Sequence, residues 1–147
     1  MMTRLDYAAL NPAALSAMLA AKSKMPAIAP GLRALIELRV SQINACHYCI
    51  DLHTKEAAAA GESPARIAAQ TQPLNKASAS AAFTPAECAA FAWAEAMTRL
   101  SDAGVPDRLF EDLRLHYSDA QVADLTYIIA QMNAWNRLAV AMGHEAD

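Results

Sequence analysis

The chain has 147 residues, a net charge of −3 and a pI near 5.8, with 55% of its residues hydrophobic and 18% charged. That length supports one compact domain whose core is large enough to fold without a disulfide framework. Lys and Arg are scattered with no basic stripe, which excludes a nucleic-acid partner, and no apolar run approaches the roughly 20 residues needed to span a bilayer.

Alanine dominates, Gly and Pro fall between apolar segments and β-branched runs are absent, so the composition predicts an all-α chain. Asn11-Pro12 opens a first helix over 12–24, with Asn11 as N-cap and Pro12 at the first helical position. Met25-Pro26 and Ala29-Pro30-Gly31 break the chain before a second helix over 32–43, where Leu32, Leu35, Ile36 and Ile43 recur at helical spacing. Asn44-Ala45 reads as a short break. A third helix starts near Cys46 and ends at Gly61, a C-cap residue. Ser63-Pro64 begins a short fourth helix to about Thr71, followed by a loop over 72–83. Thr84-Pro85-Ala86-Glu87 carries a capping box and opens a fifth helix to about Ser101. Gly104-Val105-Pro106 separates it from a sixth over 107–116. Ser118 and Gln121 form another capping box at the head of the longest helix, 119–142, which Gly143 ends. The domain reading is a single unit over 1–147, with a helical core over 32–142 and an N-terminal helical arm over 1–25.

The N-terminus carries Arg4 and Asp6 and no signal-peptide apolar region, so the expected compartment is the cytoplasm. In that reducing setting, three cysteines point to thiol chemistry or metal binding rather than structural bridges. The informative stretch is Cys46-His47-Tyr48-Cys49-Ile50-Asp51-Leu52-His53. On a helix turning about 100° per residue, Cys46, Cys49 and His53 share one face, and Cys49 and His53 stand one turn apart. Only a thiolate is nucleophilic, and a helix N-terminus favours it. His53 is placed to take the Cys49 proton and later return one to a leaving group. Cys46 is placed to resolve an oxidised Cys49 to a disulfide, which an outside dithiol would reopen.

Rival readings of these residues are a haem site, a zinc site and two inert buried cysteines beside a surface histidine. Ile50 stands where c-type haem attachment requires His, which removes the first. Zinc on Cys46, Cys49 and His53 lacks a fourth ligand, and Cys88, the remaining cysteine, lies in an apolar helix and reads as core. No metal and no cofactor are therefore expected. Asp51 and His47 point off the Cys49–His53 face, and Tyr48 reads as a packing residue. Trp93, Trp135, Tyr127 and Phe91 read as core or interface anchors, and Asn133, Asn136 and Arg137 as inter-helix hydrogen bonders. His116 and His144 lie near helix ends, where the dipole favours them.

The run Ser41-Gln42-Ile43-Asn44-Ala45-Cys46-His47-Tyr48-Cys49-Ile50-Asp51-Leu52-His53-Thr54-Lys55 resembles the AhpD-like, or carboxymuconolactone decarboxylase, family. The likeness continues through the alanines before Gly61, Phe91-Ala92-Trp93-Ala94-Glu95-Ala96 and Asn133-Ala134-Trp135-Asn136-Arg137. It implies an all-α AhpD-like domain of about six to seven helices that assembles as a homo-oligomer: a dimer, trimer or hexamer. It also implies a peroxidase acting on a small-molecule hydroperoxide with an external thiol reductant. By that likeness Cys49 attacks, Cys46 resolves and His53 is the family's histidine. The family's relay glutamate stands twelve residues before the first cysteine, where this chain has Ala34. Glu37, about one turn along the same helix face, is the nearest acid and the fourth candidate catalytic residue. The family's decarboxylases generally lack the cysteine pair, so its presence favours redox chemistry. The alternative function is a non-catalytic redox sensor or interaction protein with a reversible Cys46–Cys49 disulfide.

Overall fold

A computed structural model describes residues 3–70, 81–101 and 104–145. Among these residues the chain is all-α: α1 (Tyr7–Leu10), α2 (Pro12–Lys22), α3 (Pro30–Ile43), α4 (His47–Ala59), α5 (Pro64–Ala69), α6 (Pro85–Thr98), α7 (Asp107–Arg114) and α8 (Asp119–Met142). The helix starts follow the local chemistry. Asn11 accepts from the Ala14 N–H at 3.1 Å, and Ser63 from that of Arg66 at 3.2 Å. Both capping boxes, Thr84 with Glu87 and Ser118 with Gln121, close reciprocally. The ends are less faithful: α2 stops at Lys22, α6 at Thr98 and α7 at Arg114, each short of the expected boundary. The single-turn α1, capped by Asp6, is absent from the sequence reading because four residues carry no period. The loop expected over 72–83 lies outside the described residues except for its last three positions, of which Ala81 and Ala82 are helical.

Helix α3 is the axis of the molecule. Every residue from Ala34 to Ser41 is buried, so it is enclosed on all sides by α4, α6 and α8. Leu35, Ile36 and Val40 pack with Phe91 of α6 and Leu125, Ile128 and Ile129 of α8. Burying each such side chain stabilises the fold by roughly 1.5–3 kcal/mol. Two charges are enclosed with them. Arg39 is paired with Glu95 of α6 at 2.7 Å, and Glu37 with groups described below.

A polar seam fixes the link from α3 to α4. Asn44 Nδ2 donates to Asn133 Oδ1 at 2.9 Å and to Asn136 Oδ1 at 3.0 Å. Asn136 Nδ2 donates to Ser41 Oγ at 3.1 Å, and that hydroxyl donates to the Glu37 carbonyl at 2.7 Å. The helix then ends in a Schellman motif. The Cys46 N–H reaches the Ser41 carbonyl at 3.0 Å and the Ala45 N–H that of Gln42 at 3.1 Å. Cys46 therefore closes α3 and caps α4 at once. Ala45 sits at φ 52, the left-handed position that glycine usually fills. That conformation costs an L-residue roughly 1–2 kcal/mol, and glycine would return part of the gain as unfolded-chain entropy. Ala45 is exposed, so its methyl adds little packing. Ala45→Gly is expected to stabilise the protein by roughly 0.5–1 kcal/mol, seen as a rise in Tm of about 2 °C.

The N-terminal arm lies across one end of this core. Arg4 binds the carbonyls of Met142 and Ala141 at 2.7 and 3.0 Å. Gln131 Nε2 of α8 donates to the Met18 carbonyl at 2.6 Å. No residue of α2 is buried, and Leu10 and Leu19 remain largely exposed.

Candidate active site

Cys46 precedes α4 as an extended N-cap, with φ −88 and ψ 91, and is not a residue of the helix as the spacing suggested. The extended cap, not helical rotation, brings it to Cys49. The two are joined by a disulfide with Cα atoms 5.3 Å apart. Cys49 lies in the first turn, where backbone N–H groups have no intrahelical acceptor and the helix end is partially positive. His53 follows one turn later and is buried.

Two carboxylates face one nitrogen of His53. Glu56 Oε2 lies 2.8 Å from Nδ1 and is its hydrogen-bond acceptor. Glu37 Oε2 lies 3.2 Å from the same atom. Because the Glu56 carboxylate can only accept, Nδ1 carries the hydrogen in this bond, which leaves Nε2 as the basic nitrogen. Each carboxylate uses its other oxygen on a cation: Glu37 Oε1 takes Arg33 Nε at 2.6 Å, and Glu56 Oε1 takes Lys22 Nζ at 3.3 Å. Glu37 is buried and reaches the site from α3, whereas Ala34, the position to which the resemblance pointed, is buried and has only a methyl side chain.

The Glu56 carboxyl is pulled down to about 2, first by the hydrogen bond from His53, against the opposing effect of burial, and then by the charges of His53 and Lys22. A carboxylate held below its unfolded value binds fewer protons folded than unfolded, so its contribution to stability rises with pH. That contribution is whole above 4.5, falls as pH drops toward about 2 and is gone below it. Glu56 is more than one-third exposed, so the contribution is screened. Glu56→Gln is expected to flatten the pH dependence of urea unfolding within that window.

A cavity of about 480 Å³ adjoins these groups, with Lys22 and Arg33 on its lining and Glu56 outside it. Cys49, His53 and Glu37 line it side by side with these cations. Leu15 and Leu19 of the arm face Leu52, Ile128, Met132 and Trp135 across it. At the rim His144 sits between Tyr48, with ring centroids 4.7 Å apart, and Tyr7, at 5.8 Å.

All four predicted residues are thus near one another: Cys49, His53 and Glu37 on the cavity wall and Cys46 bonded behind Cys49. Tyr48, Trp135 and His144, expected to pack or cap, also line the cavity. Asp51 turns away to Lys55 at 2.6 Å and His47 is exposed. Cys88 is half-buried, and burial pushes its thiol up. Glu56, Lys22 and Arg33 were missed. Glu56 had a signal, standing three residues after His53 on one helix face; Lys22 had none, because its contact spans 34 positions.

Glu37, His53 and Glu56 present donor atoms within 4.8 Å of one another, the grouping among the described residues that could hold a metal ion. Arg33 and Lys22 already neutralise both carboxylates, so little negative charge remains to draw a divalent ion. Among the described residues no helix is long and apolar enough to cross a membrane.

Residues 9–96 match the sequence model of the Carboxymuconolactone decarboxylase family. The chain is 36% identical over 148 residues to the uncharacterized protein YdfG of Bacillus subtilis (strain 168), covering 99% of this chain and 98% of that one. It superposes with a TM-score of 0.91 on the crystal structure of ATU0492 from Agrobacterium tumefaciens, at 33% identity over 99% of both chains. ATU0492 is a protein of unknown function with the provisional designation of AhpD antioxidant defence protein. An uncharacterized peroxidase-related protein from Silicibacter sp. TM1040 shares the fold at a TM-score of 0.75 and 24% identity, over 88% of this chain and 68% of that chain.

Proposed function

The chain belongs to the AhpD-like carboxymuconolactone decarboxylase family, and from that premise we propose that it is a thiol-dependent hydroperoxidase acting through Cys49, Cys46, His53 and Glu37. The observation that carries this reading is the shared cavity, in which Cys49 and a carboxylate-backed His53 line one wall. In the reduced protein, His53 Nε2 takes the Cys49 proton. The thiolate attacks the terminal oxygen of a hydroperoxide, the O–O bond breaks, and the departing alkoxide takes a proton from His53 to leave as an alcohol. Cys49 is then a sulfenic acid. The Cys46 thiol attacks its sulfur, water leaves and the disulfide forms. An external dithiol reopens it by two exchanges and is itself oxidised. Glu37, buried 3.2 Å from Nδ1, stabilises the charged form of the imidazole, a role that buried carboxylates fill beside catalytic histidines.

The apolar walls suit an organic hydroperoxide, and the AhpD designation of ATU0492 supports the same chemistry. A reducing cytoplasm would supply the dithiol. Exposed Leu5, Leu10, Leu115 and Tyr127 favour self-assembly into a homo-oligomer. The test is consumption of cumene hydroperoxide with dithiothreitol as donor. The enzyme reading predicts many turnovers per chain. Loss of one equivalent of peroxide per chain, with donor in excess, would overturn it in favour of a redox sensor.

A further inference from the structure

Two carboxylates stand against one ring nitrogen of His53, and Glu56 is the one hydrogen-bonded to it. Nδ1 has a single N–H, faced by Glu56 at 2.8 Å and Glu37 at 3.2 Å. The shorter contact goes to the more exposed acid: the Glu56 side chain is 37% accessible and that of Glu37 is 6%. An accessible carboxylate gains hydration and rotamer freedom by turning to solvent. What opposes this is Lys22, the last residue of α2, whose Nζ holds the other Glu56 oxygen at 3.3 Å. The same residue reaches the second acid. Its backbone carbonyl accepts from Arg33 Nη1 at 2.8 Å, while Arg33 Nε holds Glu37 at 2.6 Å. The charged groups around His53 are therefore Glu37 and Arg33 from α3, Glu56 from α4 and Lys22 from α2. Of these only Lys22 belongs to the N-terminal arm, the segment that also supplies Leu15 and Leu19 to the cavity wall.

We infer that Lys22, acting through Glu56, is a positioning residue for His53, so that seating the N-terminal arm over the cavity and orienting the proton-transfer histidine are one event. This rests on the reading above, in which His53 exchanges a proton with Cys49. With the arm seated, Glu56 fixes the hydrogen on Nδ1 and turns Nε2 to its task. With the arm lifted, Glu56 loses its cation and returns to water. His53 is then left with Glu37 alone, and the cavity loses one apolar wall. A substrate that packs against Leu15 and Leu19 would hold the arm down and so ready the site that consumes it.

The experiment is single-turnover oxidation of the reduced full-length protein by cumene hydroperoxide, in wild type, Lys22→Ala, Lys22→Arg, Glu56→Gln, the double variant Lys22→Ala/Glu56→Gln and His53→Ala. Lys22→Ala is expected to slow the reaction about tenfold near pH 7. Near pH 10, above the ordinary thiol value of about 8.5, the thiolate forms without a base and the rates should converge. Lys22→Arg should restore the neutral-pH rate. Glu56→Gln should match Lys22→Ala, and the double variant should be no slower than either, because both remove one linkage. Wild-type rates in Lys22→Ala, an equal loss at both pH values, or additive losses in the double variant would each overturn the inference. If His53→Ala slows the reaction and Lys22→Ala does not, this inference alone fails. If His53→Ala is as fast as wild type, the proton-transfer reading falls with it.

Discussion

Cys49→Ser is expected to abolish hydroperoxide consumption, a fall of at least about a thousandfold, while leaving the fold intact. A serine hydroxyl at this place is neither ionised near neutrality nor able to take an oxygen atom as a sulfenic acid. His53 cannot compensate, because a base without a redox-active sulfur completes no turnover. Cys46→Ser separates the two sulfurs. It removes the resolving thiol and keeps the attacking one, so with no thiol donor present one equivalent of peroxide is consumed, after which Cys49 rests as a sulfenic acid that dimedone labels. Both residues are buried, and serine is close in volume to cysteine, so the stability change on reduction is shared by the two variants. Equal residual turnover in both would place the attacking group elsewhere, and the peroxidase reading would be wrong.

The second large effect is on stability. Glu37→Ala is expected to cost about 3 kcal/mol, because it strands the Arg33 guanidinium, whose side chain is 15% accessible, beside a cavity it was folded to share. It also withdraws a carboxylate from His53. Glu37→Gln keeps the volume and one acceptor and should cost less, about 1–2 kcal/mol. The double substitution Arg33→Met with Glu37→Leu should recover much of the loss, since replacing both members of a buried pair avoids the uncompensated charge. Urea midpoints read all three. A Glu37→Ala midpoint equal to that of wild type would mean that solvent, not Glu37, satisfies Arg33. Activity should fall in every one of these variants, including the restabilised double, which separates the catalytic contribution of Glu37 from its structural one.

The parts of this architecture that are legible in the sequence are those with local causes. Ser, Thr and Asn caps, Pro at first helical positions and Gly61 and Gly143 at helix ends each act within one turn, so α2, α5, α6 and α8 begin where their sequences say. The Cys49–His53 face is local too. Glu37 was nameable through the resemblance, as the acid nearest the place where the family carries its glutamate, although whether its side chain reaches His53 depends on how α3 crosses α4. The rest is long-range. That Lys22 meets Glu56, that Gln131 ties down Met18, and that His144 comes to rest on Tyr48 depend on docking segments far apart in sequence. No periodicity encodes them. Burial misleads in the same way. Helix α2 is strongly apolar yet contributes no buried residue, whereas α3 encloses a glutamate and an arginine because partners on other helices meet them.

The shared residue between α3 and α4 leaves the chain no slack at the place where its chemistry is assembled. Cys46 closes one helix in the act of opening the next, so the rotational phase of α4 is inherited from α3 rather than set by a linker. A single residue inserted between Asn44 and Cys46 would break the pair of backbone bonds that sets how the following helix leaves α3. His53 would then be carried off the face that meets Glu37. Length variation that a surface loop absorbs without consequence would here dismantle the site, although every side chain needed for it remained in the chain.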